Sequence, residues 1–108
     1  MREEMVSVII PAYNEEQSIN RLVRDTIVVM DKYAKRFEVL VIDDGSSDRT
    51  CEEVSRIRNN RLRVIRNSNN IGKTKTILKG AAIAKGSIIS FIDADYQYDP
   101  RDLPRVIE

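Results

Sequence analysis

Four short apolar runs, residues 5–10, 37–42, 62–65 and 87–92, alternate with stretches whose apolar residues recur every three or four positions. A run of four to six apolar residues is too short for a helix, and continuous apolar character fits a strand covered on both faces. The intervening stretches carry a helical period. Ile19, Leu22, Val23, Ile27 and Met30 share one face of the first. Cys51, Val54 and Ile57 mark the second, and Ile71, Ile77, Leu78, Ala81 and Ala82 are expected along one side of the third. Strands alternating with helices over short connections imply a parallel sheet with helices on both sides. Right-handed crossovers then favour a three-layer, Rossmann-like α/β fold with strand order 3-2-1-4. With 108 residues the chain makes one domain, residues 1–108.

Local signals punctuate this frame. Asn14 with Gln17 three residues on predicts an N-terminal cap for the first helix. Pro11 is expected to end the first strand, and Gly86 to stop the third helix. Gly80, inside that helix, predicts a close approach to the sheet. Asp99-Pro100 reads as a cap and first-turn proline for a last helical segment through Leu103, Val106 and Ile107.

Composition narrows the function. Eighteen basic residues against 17 acidic ones give a net charge of +1, which argues against a nucleic-acid-binding domain. The chain has no histidine, so imidazole acid–base chemistry and histidine-based zinc sites are excluded. No apolar run approaches the ~18 residues of a membrane span. The single cysteine, Cys51, and the lack of a secretory signal predict a cytoplasmic setting.

Three strands run straight into polar clusters. The first leads to Asn14, Glu15 and Glu16, the second to Asp43 and Asp44, and the fourth to Asp93 and Asp95. In a parallel sheet these ends share one edge, and strands one and four flank the switch point where open α/β sheets bind ligands. In Asp93-Ala94-Asp95, with Gln97 beyond, two carboxylates one residue apart can face one cation. Such hard oxygen ligands suit Mg²⁺ or Mn²⁺ completed by substrate phosphates, as departure of a nucleoside diphosphate requires. The competing reading makes the two aspartates turn caps.

Asp44, or Asp43 beside it, can accept from a nucleobase N–H or a ribose hydroxyl, and Gly45 permits the tight turn. Pro11 and Ala12 allow close approach of a flat base, and Glu15 can bind base or ribose or simply face the helix dipole. Gly72-Lys73-Thr74 invites a phosphate-loop reading but fails it, because Asn67 stands where the motif needs glycine. Lys73 can still reach a diphosphate as a point charge, or belong to a solvated face with Lys75 and Lys79. The absence of G-x-G-x-x-G after the first strand argues against a dinucleotide dehydrogenase.

Together these segments resemble family 2 glycosyltransferases of the GT-A type. The carriers are Val8-Ile9-Ile10-Pro11-Ala12-Tyr13-Asn14-Glu15-Glu16, Val41-Ile42-Asp43-Asp44-Gly45-Ser46-Ser47-Asp48, Asn70-Ile71-Gly72-Lys73 and Phe91-Ile92-Asp93-Ala94-Asp95-Tyr96-Gln97. The last is similar to the form found in dolichyl-phosphate mannosyltransferases. Thr74 departs from the pattern, standing where the family often has glycine. The resemblance implies a nucleotide-sugar donor, GDP-mannose or UDP-glucose, and inverting transfer to a lipid phosphate such as a polyprenyl (dolichyl) phosphate. It implies Asp93, Asp95 and Gln97 at the metal, with catalysis resting on Asp95, and Pro11, Ala12, Tyr13, Glu15, Asp43, Asp44, Lys73, Asp93, Ala94 and Asp95 around the donor. It also implies later strands beyond this chain, so the chain is expected to be the donor half and catalytically incomplete alone. The alternative is a non-catalytic nucleotide-binding or assembly module of the same ancestry. Residues 87–92 would then be an apolar outer strand, through which self-association is expected.

Overall fold

The computed structural model describes residues 3–94 and 99–107. The elements run β1 (Val6–Ala12), α1 (Ile19–Tyr33), β2 (Phe37–Asp43), α2 (Thr50–Ser55), β3 (Leu62–Arg66), α3 (Lys73–Ile83) and β4 (Ile88–Phe91). A 3-10 turn, Pro100–Asp102, leads into α4 (Leu103–Ile107). Among the described residues the strands form one parallel sheet in the order β3-β2-β1-β4, the expected one.

The two central strands are buried along their whole length, which is why their sequences do not alternate. Val6, Val8, Ile10, Val39 and Val41 face one layer, packing with Ile19, Leu22, Val23 and Met30 of α1 and Val54 of α2. Ile9, Leu40 and Ile42 face the other layer, which Ala81, Ile83 and Ala84 at the end of α3 cover. The outer strands alternate between partly buried and exposed residues.

β1 continues through Pro11 to Ala12, two residues past the expected end. Residues of a parallel strand bond alternately to its two neighbours. Ile9 O accepts from Ile92 N on the β4 side, and Ala12 O accepts from Asp44 N on the β2 side. Pro11 therefore faces the β4 side, beyond the last paired residue of β4, and its missing N–H breaks no ladder bond.

The face of α3 also differs from expectation. Thr76 and Gly80 are its buried residues, while Leu78 is exposed and Ile71 precedes the helix, also exposed. A Cβ on Gly80 would lie 2.8 Å from both Ile42 Cδ1 and Ile9 Cγ2, so the expected close approach is present. The apolar residues of α3 misled because the contact needs its smallest side chains. Gly86 does not stop α3, which ends at the extended Ala84. It lies where the following loop crosses β1, and a Cβ there would come within 2.8 Å of Met5 O and Ser7 N.

Candidate functional site

Four connections meet at the carboxyl ends of the strands. The β1–α1 loop leaves Ala12 through Asn14, whose φ of 52° turns the chain sharply. Its N–H groups are held by the neighbouring β2–α2 turn: Asn14 N donates to Ser46 Oγ, Glu15 N to Thr50 Oγ1 and Glu16 N to Asp48 Oδ2. In return Asn14 Oδ1 accepts from Ser47 N at 2.9 Å. The Asn14–Gln17 cap expected from the sequence is thus absent. Asn14 bonds across to another loop, and α1 starts at Ile19 after Ser18, without a side-chain cap bond. Ser18 Oγ instead donates to Ala94 O, tying α1 to the segment after β4.

Asp44 governs the third connection. Its Oδ1 accepts from Asn67 Nδ2 and Ile71 N, both at 2.9 Å, and its Oδ2 from Gly72 N at 3.0 Å. Burial pushes its carboxyl up, but hydrogen bonds from Ile71, Asn67, Gly72 and Thr76 outweigh that and hold it below its ordinary value. Gly45 completes the grip. Its φ is +72°, and a Cβ would lie 2.7 Å from the Asn69 carbonyl carbon, so no other residue lets the turn press so closely on this loop. An ionised carboxylate has about four acceptor positions, and the donors of Ile71, Asn67, Gly72 and Thr76 engage it from the side of the loop after β3.

A cleft of about 260 Å³ lies between these loops, lined by Pro11, Ala12, Tyr13, Glu15, Asp44, Asn70, Gly72, Lys73, Asp93 and Ala94. Tyr13 is about half exposed and Asp93 is buried, so the cleft offers an aromatic ring at one wall and a carboxylate at another. Lys73, the first residue of α3, crosses the cleft to place Nζ 2.7 Å from Asp93 Oδ1.

The structure gathers most of the expected residues. Asp43 does not line the cleft. It is fully buried at the end of β2, accepts from Ser46 N at 3.0 Å, and has Oδ2 3.6 Å from Arg66 Nε. It supports the turn from beneath while Asp44, the next residue along, faces the cleft. Asp95 and Gln97 lie outside the described residues. Asn70 lines the cleft although nothing assigned it a contact; its place beside Gly72 and Lys73, in the loop after β3, was the available signal. Among the described residues no three acidic, cysteine or histidine side chains cluster as metal ligands. Asp93 nevertheless fits a divalent ion. It is a hard oxygen donor already facing a cation, and Mg²⁺ commonly takes one or two carboxylates together with substrate phosphates.

A parallel α/β sheet with helices on both faces and a cleft at the switch point defines the class of open α/β proteins that bind their ligand at that edge. The chain belongs to Glycosyl transferase family 2, which it matches over residues 7–108. It is 36% identical, over 97% of its length, to an undecaprenyl-phosphate 4-deoxy-4-formamido-L-arabinose transferase of Edwardsiella ictaluri, of which it covers 33%. In structure it is similar to the mannosyltransferase PcManGT from Pyrobaculum calidifontis in complex with GDP-Man and Mn²⁺. There the TM-score is 0.80 at 29% identity, over 94% of this chain and 30% of that one. It is also similar to S. aureus TarS 1-349 in complex with UDP-GlcNAc, with a TM-score of 0.76 at 31% identity, over 98% and 30% of the two chains. The chain thus spans about a third of the length of the relatives it matches. It has the GT-A-like fold of a glycosyltransferase, and no helix among its described residues is long and apolar enough to cross a membrane.

Proposed function

We propose that this chain forms the donor site of an inverting glycosyltransferase that takes a nucleoside-diphosphate sugar, GDP-mannose or UDP-glucose, with Mg²⁺ or Mn²⁺. The observation that carries this reading is the convergence of Tyr13, Glu15, Asp44, Lys73 and Asp93 on one cleft at the sheet's switch point. Relatives of the same fold, crystallised with GDP-Man and Mn²⁺ or with UDP-GlcNAc, support it.

Each residue has a role that its position suits. Tyr13, about half exposed, offers a ring face to the base, and Pro11 and Ala12 form a floor without bulky side chains. Asp44 lines the cleft as a carboxylate and accepts from a base N–H or ribose hydroxyl in this reading, with Glu15 also lining it. Lys73 lies within reach of the diphosphate. Asp93, with Asp95 and Gln97 after it, would hold the divalent ion. When bound, that ion would offset the negative charge that grows on the departing diphosphate.

The acceptor in this reading is a lipid phosphate such as a polyprenyl (dolichyl) phosphate. Its oxygen displaces the diphosphate at the anomeric carbon in one inverting step. The undecaprenyl-phosphate relative supports that acceptor class, which sets the work at a membrane surface, on its cytoplasmic face in this reading. The chain also self-associates in this reading, because Ile89 and Phe91 of β4 stand about half exposed on the sheet's outer edge.

The donor assignment is tested by calorimetric titration of GDP-mannose and UDP-glucose into the parent and Asp95→Asn, in Mn²⁺ and in chelator. The parent should bind one donor, and the substitution should weaken binding in Mn²⁺ far more than in chelator. Equal affinity of the two proteins in Mn²⁺ would remove Asp95 from the site, and no binding of either donor would remove the function.

A further inference from the structure

The Lys73–Asp93 ion pair spans the cleft between two independently anchored walls. Asp93 follows β4 and is buried, whereas the Lys73 side chain is 56% exposed. The backbone beneath Lys73 is fixed, since Gly72 N donates to Asp44 Oδ2 and Gly72 O accepts the α3 bond from Thr76 N. The ammonium is carried on a flexible four-carbon stem, so it can change partners without disturbing the loop.

A buried carboxylate is costly without a cation beside it, and here the lysine supplies one. A divalent ion on the same carboxylate would meet the ammonium at like-charge distance, so ammonium and ion exclude each other. A diphosphate bound in the same cleft offers the displaced ammonium an anion within its reach.

We propose that Lys73 is a displaceable counter-ion of Asp93 that couples binding of the divalent cation to binding of the donor's diphosphate. The lysine pairs with Asp93 and transfers to the diphosphate when ion and nucleotide arrive together. The cation alone is disfavoured, and the pair is favoured. This inference rests on the donor-site reading above. It adds to that reading an ordering rule and a residue that enforces it.

The test is Mn²⁺ binding followed by the electron-paramagnetic-resonance signal of the free ion, without nucleotide and with saturating GDP or UDP. The proteins are the parent, Lys73→Gln, Lys73→Arg, and Lys75→Gln as a control of equal charge change on the exposed side of α3. A half-exposed ion pair of this kind is worth up to about fivefold in affinity, so Lys73→Gln should bind Mn²⁺ alone about threefold more tightly. It should bind the nucleoside diphosphate less tightly at saturating Mn²⁺. The coupling, which is the Mn²⁺ affinity with nucleotide divided by that without, should then fall about threefold, and by reciprocity the gain in nucleotide affinity on adding Mn²⁺ falls by the same factor. Lys73→Arg should retain most of the coupling. Equal Mn²⁺ affinity of Lys73→Gln and Lys75→Gln, or an unchanged coupling factor, would overturn the proposal and leave the donor site standing. No Mn²⁺ binding by the parent even with both nucleotides present would overturn the donor site and this inference together.

Discussion

Asp44 supports a quantitative prediction, because its carboxylate accepts the backbone amides of Ile71 and Gly72 in the loop that leads to Lys73. Asp44→Ala removes three acceptor contacts at 2.9, 2.9 and 3.0 Å. The donors at Ile71 and Gly72 lie in an exposed or half-buried loop and can turn to water, so their loss is small. The Asn67 amide is buried and keeps only Thr76 Oγ1, at 3.3 Å, as an acceptor. Hydrogen bonds to a charged group contribute about 1.5–3 kcal/mol each, and partial rescue by water leaves a net loss of about 2–3 kcal/mol. For a domain of this size that lowers Tm by roughly 8–20 °C, read by thermal denaturation at pH 7. Asp44→Asn should lose less, because its amide oxygen still accepts. The acid dependence separates charge from shape. The folded carboxyl titrates below its ordinary value, so its stabilisation is complete above about pH 3.9 and fades as pH falls through the lower folded value. The gap between parent and Asp44→Asn should therefore close in strong acid. An Asp44→Ala protein that melts with the parent, or a gap to Asp44→Asn that does not narrow in acid, would refute the grip of Asp44 on the loop.

Three further outcomes follow from the packing and the edge. Gly80→Ala gains about 1 kcal/mol of helix propensity but forces a methyl within 2.8 Å of two isoleucine atoms, so urea unfolding should show a net loss of about 1 kcal/mol. Gly86→Ala meets the backbone of Met5 and Ser7, which cannot yield as a side-chain tip can, and should be the more damaging of the two in the same assay. Phe91→Lys places a charge on the exposed edge strand, so light scattering should show a smaller particle than the parent at high concentration. A parent that is a clean monomer there would refute the edge argument.

The sheet was legible because its central strands, buried on both faces, are mostly apolar and do not alternate; their polar exceptions, Ser7 and Glu38, satisfy each other by a hydrogen bond. The order β3-β2-β1-β4 comes from the Rossmann-like class, since neither periodicity nor handedness alone fixes it. What escaped were features decided between segments. Asn14 looks like a helix cap in isolation, yet its partners are in the turn after β2, 32 and 33 residues away. The contact face of α3 sets the buried Thr76 and the expected close approach of Gly80 beside Ala81 and Ile83, and it is the threonine that a search for apolar periodicity passes over. The pair Asp43-Asp44 announces a carboxylate at the strand end without saying which of the two faces the cleft. Strand alternation sends the first inward and the second to the loop after β3. Lys73 was readable only as a nearby charge; its pairing with Asp93 depends on the geometry of two loops 20 positions apart.

The central claim is that the carboxyl end of the sheet binds a nucleotide sugar together with a divalent cation. Backbone amide spectra of isotope-labelled chain, recorded with each donor and a trace of Mn²⁺, test it most directly, since the paramagnetic ion erases signals near it. Seven strand residues at about 3.3 Å each separate the two ends of β1 and β2, enough for a clear gradient. The account predicts that with GDP-mannose or UDP-glucose the amides of Tyr13, Asp44, Gly72 and Ala94 fade first, while those of Val6, Phe37 and Leu62 at the opposite end persist. Loss centred on that opposite end, or loss unchanged by either donor, would contradict it.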